Sequence, residues 1–181
     1  IIELFWDEGS GGFYFTSGHS GDLITRQKEI YDGAVPSGNS VAMMNLLRIG
    51  RITAENGYED KASTLGKAFS KTVETAPMAY TQLLSALDFA AGPSYEVVIV
   101  GEPESVDTKK MLSALENSYN PNTVVILKDI GNASEITSIA PFKESHIMKE
   151  DKTTAYVCRD HVCNLPTTDP DKMLEQLSQV K

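Results

Sequence analysis

The chain has 181 residues, 41% of them hydrophobic and 23% charged, an ordinary globular composition that suits one large domain or two small ones. Its 25 acidic residues outnumber 16 basic ones, and the formal net charge of -9 repels phosphate backbones and argues against general nucleic-acid binding. No stretch approaches about 18 uninterrupted apolar residues, so no membrane-spanning helix is expected; two cysteines, Cys158 and Cys163, are too few for a disulfide scaffold and favour a reducing cytoplasm.

The chain opens IIELFWDEGSGGFYFT with neither a basic nor an apolar leader, and reads as the interior of a longer protein. In GGFYFT, two glycines permit a tight turn, and Phe13, Tyr14 and Phe15 alternate faces if extended. Two arrangements fit: an aromatic wall of a pocket, with Trp6 and Tyr14 as stacking surfaces, or a hairpin or ordered loop packed on helices. His19, in SGHSGD, reads as a surface loop residue. The stretch YDGAVPSGNSVAMMNLL then sets small polar residues before an apolar run. Ser37 and Asn39 can each accept a free N–H from the first turn of the following helix, and Gly33 and Gly38 tolerate positive φ. Capping does not absorb Tyr31 and Asp32: a carboxylate beside an aromatic, before a proline turn, can face a cavity and act on a hydroxyl as acid or base.

Apolar spacing predicts a helix from Asn39 to about Thr53 and a second over 61–75. Pro77 is placed to start a third, which ends before Gly92-Pro93. Their short connections favour antiparallel hairpins. The character changes at Gly92-Pro93, giving a helical domain over 1–92 and a small α/β domain over 93–181. EVVIVG, TVVILKD and TTAYVC read as buried strands, with a helix from about Asp107 to Tyr119 and a weak loop or short helix over 131–139. The last helix has Asp169 as N-cap and Pro170 in first position. Strands alternating with helices predict a mostly parallel sheet.

The turn GEPESVD has one glycine and three carboxylates, which disfavour a pyrophosphate site. In CRDHVC the cysteines are too far apart for a thioredoxin-type CxxC. If Arg159 to Val162 form a hairpin loop, the two lie opposite each other, roughly 4.5–5.5 Å apart, and can form a disulfide. Free buried thiols are nevertheless the favoured reading, with a reversible disulfide and then a metal site as the alternatives; zinc would need two further ligands, His161 is badly placed and His146 is distant in sequence. No metal and no cofactor is therefore expected. No GxSxG, HExxH or P-loop occurs, and no carboxylate pair can be assigned.

The order FWDEGSGGFYFT, LITRQKEIYDGAVPSGNSVAMMNLLRI and a late AYVC....C..P..DP resembles the thioredoxin-domain-containing family related to spermatogenesis-associated thioredoxin-like proteins and bacterial YyaL. The resemblance covers almost the whole chain and is most specific over Lys28 to Leu47. It implies an α+β fold class: antiparallel helical hairpins of a partial (α/α) toroid of the six-hairpin glycosidase type, followed by the α/β tail. A thioredoxin-like N-terminal domain and the earlier hairpins would lie outside this chain. It also implies that Trp6, Asp7, Tyr14, Tyr31, Asp32, Ser37 and Asn39 sit at the cavity end of the helices. By fold analogy the toroid would bind a carbohydrate-like ligand, with Tyr14 or Trp6 stacking on a sugar, Asp32 and Asn39 bonding its hydroxyls, and Asp32 the best catalytic candidate. The alternative is a non-enzymatic scaffold serving the thioredoxin-like domain. A third, narrower reading is that Cys158 and Cys163 exchange electrons with that domain. A chain cut from a ring also exposes an apolar helix face, so self-association through the ring edge is expected.

Overall fold

A computed structural model describes residues 1–19, 21 and 24–178. Ser20, Asp22 and Leu23, which belong to the quoted SGHSGD and LITRQ stretches, lie outside the described residues, as do 179–181. The chain divides into two units, 1–50 with 55–91, and 51–54 with 92–181.

The first unit is helical: α1 (Ile2–Phe5), α2 (Gly38–Thr53, whose last turn belongs to the second unit), α3 (Asn56–Thr75) and α4 (Thr81–Ala91). Buried apolar residues recur at helical spacing, Met43, Leu46 and Leu47 in α2, Ala62, Leu65 and Val73 in α3, and Leu83, Ala86 and Phe89 in α4. The three helices meet at Gly66, where a Cβ would lie 3.2 Å from Met43 Cε and 3.8 Å from Leu87 Cδ2. α3 starts five residues before the predicted 61 because its first turn is polar and leaves no apolar stripe. Pro77 opens a separate 3-10 turn, Pro77–Ala79, and α4 begins after it. The expected partial toroid is not shown. Apolar helices with short connections fit a small cluster converging on one glycine as well as they fit a ring, and the ring came from the resemblance alone.

Among the described residues, 7–37 carry no long regular element. GGFYFT folds back as the hairpin alternative: Trp6 pairs antiparallel with Phe13, the Tyr14 N–H donates to the Phe5 carbonyl, and the Asp7 N–H donates to the Gly12 carbonyl. Gly11 and Gly12 turn the chain at φ of 77° and 82°. A Cβ on Gly11 would lie 2.7 Å from Thr64 Cγ2.

The second unit holds β1 (Tyr95–Gly101), α5 (Val106–Glu116), β2 (Thr123–Asp129), α6 (Ala133–Ile139), β3 (Thr154–Arg159), β4 (Val162–Cys163) and α7 (Pro170–Ser178). The four-stranded sheet has the order β2-β1-β3-β4, and every residue of β1 is buried. Here the predicted mostly parallel sheet is corrected. Only β1 and β2 are parallel, joined by the crossover helix α5. β3 runs antiparallel to β1, and β4 antiparallel to β3. The physical cause is the connection after β2. Its helix α6 has seven residues, none fully buried, and does not act as a crossover. The chain instead reverses in a two-residue turn at Glu150-Asp151, both at positive φ and flanked by the Lys149–Lys152 bridge, and enters β3 from there. One sheet face packs Val97, Ile99, Ala155 and Val157 against Met111, Leu115, Met173 and Leu177 of α5 and α7. The other carries Val98, Val100, Ile126, Tyr156 and Cys158, packed by Ile52, Ile136 and Met148.

Gly11→Ala should lower stability by roughly 1–3 kcal/mol, since it forces a side chain into positive φ and into Thr64. A reduced urea midpoint at unchanged slope would register this, and an unchanged midpoint would refute the turn's requirement for glycine.

Candidate functional site

The candidate residues of the first unit fall into two clusters with a bridge between elements. In the first cluster, Asp7 Oδ2 accepts from Lys28 Nζ at 2.6 Å, Ser10 Oγ at 2.7 Å and Tyr14 Oη at 2.9 Å, while Oδ1 accepts the Gly9 and Ser10 N–H groups. The Lys28 ammonium, followed by Ser10 and the Gly9 N–H, holds the Asp7 carboxyl far below the usual carboxylate range. That carboxylate in turn raises the Tyr14 phenol. Lys28 also bonds Ser10 Oγ and the Gly11 carbonyl, so the ion pair closes the hairpin turn. In the second cluster, Asp32 Oδ1 accepts the Ser37 N–H, and Oδ2 accepts the Gln82 and Leu83 N–H groups at 2.9 and 3.1 Å. The Asp32 carboxylate thus sits on the first turn of α4, where unpaired N–H groups favour an anion. Ser37 Oγ caps α2 by accepting the Ser40 N–H. Asn39 does not cap. Its buried amide accepts the Phe13 N–H at 2.6 Å and donates to the Phe13 and Glu29 carbonyls. Tyr31 is exposed and lies beside Gly33.

The aromatic faces are also engaged. Trp6 packs edge-on against Phe13 at 5.0 Å with Lys61 Nζ 4.9 Å from its ring, and Arg26 lies 3.9 Å from the Tyr14 centroid. Beside them an open groove of about 520 Å³ is lined mainly by Ile1, Phe5, Phe13, Phe15, Val41 and Ala42. Phe15 is 79% exposed.

In the second unit the expected free thiols are corrected: Cys158 and Cys163 are register partners on β3 and β4, and this pairing brings them together in a disulfide, their Cα atoms 3.7 Å apart. The hairpin loop is Asp160-His161, both at positive φ. His146, distant in sequence, is brought to it, with Nε2 3.5 Å from Cys163 Sγ. Burial, then the charges of Lys143 and Lys128, push the His146 imidazole down to about 4. Lys128 Nζ donates to the carbonyls of Lys143, Glu144 and His146, which fixes the loop carrying the imidazole. One ring nitrogen of His146 and the two sulfurs lie within 4.8 Å of one another, but both sulfurs are engaged in the disulfide. Among the described residues, no helix is long and apolar enough to cross a membrane.

Sequence reasoning missed Lys28, Arg26 and Lys61, whose partners lie many residues away, and it set His146 aside on sequence distance. Lys128 left a signal: a charge on the register of Val124 and Ile126 must find acceptors inside.

The chain is similar to spermatogenesis-associated protein 20 of Rattus norvegicus, 35% identical over 178 residues, 98% of this chain and 23% of that protein. The Mus musculus protein of the same name is 35% identical over 178 residues, 98% of this chain and 22% of its own length. The Homo sapiens protein is 35% identical over 176 residues, 97% and 22%. The chain thus spans less than a quarter of the length of these curated relatives. No family model and no solved structure matches it.

Asp32→Ala should cost about 2 kcal/mol, because three backbone N–H groups lose a charged acceptor, and Asp32→Asn should cost less, because one acceptor remains. Chemical denaturation of both variants tests this ranking. His146 gives a pH signature. Its folded pKa of about 4 lies below the ordinary 6.5. Between these values the unfolded chain binds a proton that the folded chain does not, so stability falls as pH drops through that window. In His146→Gln that part of the slope should vanish, and a slope equal to wild type would show that His146 does not carry it.

Proposed function

We propose that the first unit is a non-enzymatic interaction module whose apolar groove receives an apolar segment of the longer protein, the partner being the thioredoxin-like domain that the resemblance implies. One observation carries this reading: the polar groups expected to do chemistry are spent on the fold, while the open surface beside them is apolar. Asp7, Asp32, Ser37 and Asn39 each hold backbone or ionic partners within the chain. An exposed apolar patch such as Phe15 and Val41 around the groove is the usual mark of a protein-binding surface. The much greater length of the relatives supports a partner within the same polypeptide.

A carbohydrate-like ligand has weaker support. Sugar stacking needs a free aromatic face, and Lys61 and Arg26 occupy one face of Trp6 and of Tyr14, respectively. The low cysteine count supports a cytoplasmic location, and the Cys158–Cys163 disulfide weighs against it unless the bond is exchangeable.

Calorimetric titration against the thioredoxin-like domain of the longer protein should give saturable binding. Phe15→Asp and Val41→Asp, both at exposed positions, should weaken it at least about tenfold, whereas Asp32→Asn, once shown to be folded, should leave it unchanged. Equal affinity across wild type and the groove variants overturns the module. So does saturable binding of a hexose that Asp32→Asn abolishes.

A further inference from the structure

We propose that Cys158 and Cys163 form an exchangeable disulfide that accepts two electrons from a dithiol reductant, with Cys163 the sulfur attacked and Cys158 the sulfur released. The two positions differ sharply in access. Cys158 is 1% exposed on β3, whereas Cys163 on β4 reaches solvent beside its half-buried contact with His146. An incoming thiolate therefore meets Cys163 first. Nor is the bond required as a staple. It joins residues five apart, and a loop this short restrains the unfolded chain least. The turn it spans is already set by the Arg159–Val162 pairing and by the conformation of Asp160-His161.

His146 supplies the polar partner. Its ring is held from several sides: Lys128 bonds its backbone carbonyl, and the Tyr156 ring packs on it at 4.4 Å. Tyr156 Oη also donates to the Ile147 carbonyl. Nδ1 is buried without a hydrogen-bond partner, so the single proton of the neutral ring sits best on Nε2, facing Cys163 Sγ. An N–H at this position stabilises the Cys163 thiolate as it is released in the second step of the exchange. The buried Lys143 ammonium adds positive charge nearby, and its own hydrogen-bonding capacity is unused. Glu96, the register neighbour of Cys158, opposes that field, tempered by Arg51 at 3.7 Å and by the His161 N–H.

The exchange balances in two steps. A reductant thiolate attacks Cys163 Sγ, forming a mixed disulfide; the Cys158–Cys163 bond breaks and its electron pair leaves on Cys158 Sγ, which takes a proton. The reductant's second thiolate then attacks the reductant sulfur of the mixed disulfide, releasing Cys163 as a thiolate that is protonated in turn. The chain gains two electrons and two protons, and the dithiol becomes a disulfide. The same three donors in the reduced chain also suggest a cation site, but Lys143 and Lys128 repel a cation, and a metal-bound imidazole normally has a partner for its other nitrogen, which Nδ1 lacks.

The test uses the intact chain in the absence of denaturant. Dithiothreitol should reduce the disulfide completely, with thiols counted by alkylation and mass spectrometry, and near-ultraviolet dichroism should stay native. His146→Leu, which removes the donor, should slow the release of Cys163 at least about tenfold at unchanged dichroism, read as a reductant–Cys163 mixed disulfide that accumulates on acid quench. In the single-cysteine chains, Cys163 of Cys158→Ser should react with a nitrobenzoate disulfide at least about tenfold faster than Cys158 of Cys163→Ser. A disulfide that resists dithiothreitol until the chain unfolds overturns the proposal, as do equal reactivities of the two cysteines. Stoichiometric zinc uptake by the reduced chain, in competition with a chromogenic chelator and blocking reoxidation, would instead make the cluster a metal site.

Discussion

The buried amide of Asn39 is the constraint on which the arrangement of the first unit depends. It joins three chain segments that no regular element connects: the start of α2, the hairpin at Phe13, and the extended stretch at Glu29. A buried amide that satisfies two carbonyls and one N–H is worth more than the sum of ordinary contacts, because losing it leaves several backbone groups unpaired at once. The consequence is geometric. Phe13 and Tyr14 form one wall of the groove and Val41 and Ala42 belong to another, so the bond that ties hairpin to helix also sets the spacing between them. The Asp7–Lys28 pair closes the hairpin, and Asp32 ties the approach to α2 onto α4.

The second unit meets a different constraint, that of charges taken out of water. Glu96 and Lys143 are fully buried and Lys128 nearly so. Burial raises the Glu96 carboxyl and lowers both amines, Lys143 to about 8. Lys128 offsets its desolvation with three carbonyls, and Lys143 lies 3.9 Å from the Phe142 ring centroid. Such groups are poor investments for stability alone, since an apolar core of the same volume does as well. What they provide is placement: the loop from Lys143 to His146 has one position that satisfies Lys128.

Much of the secondary structure is legible in the sequence because burial writes itself in periodicity. TVVILKD corresponds to β2 residue for residue, and Pro170 starts α7 directly after Asp169. Elements whose faces are polar leave no such trace, as in the first turn of α3. Strand direction is also invisible to periodicity. A strand reads the same whichever way it pairs, and the decisive turn at Glu150-Asp151 carries neither glycine nor asparagine to announce itself. The site residues divide along the same line. Ser37 before an apolar run is a local signal, and its cap is local. Asp32 looked free because its partners, Gln82 and Leu83, lie fifty residues on, and the His146 approach to Cys163 has no local cause at all.

The strand order also has a consequence for how the sheet can be extended. One border, β4, is two residues long and ends almost as soon as it begins, a length that suppresses edge-to-edge pairing. The other border, β2, runs for seven residues, and among the described residues no strand pairs with its outer side. Val125 is partly exposed there, at 43%. β2 is therefore the longer open border, the side on which a further strand finds a run of backbone groups to pair with.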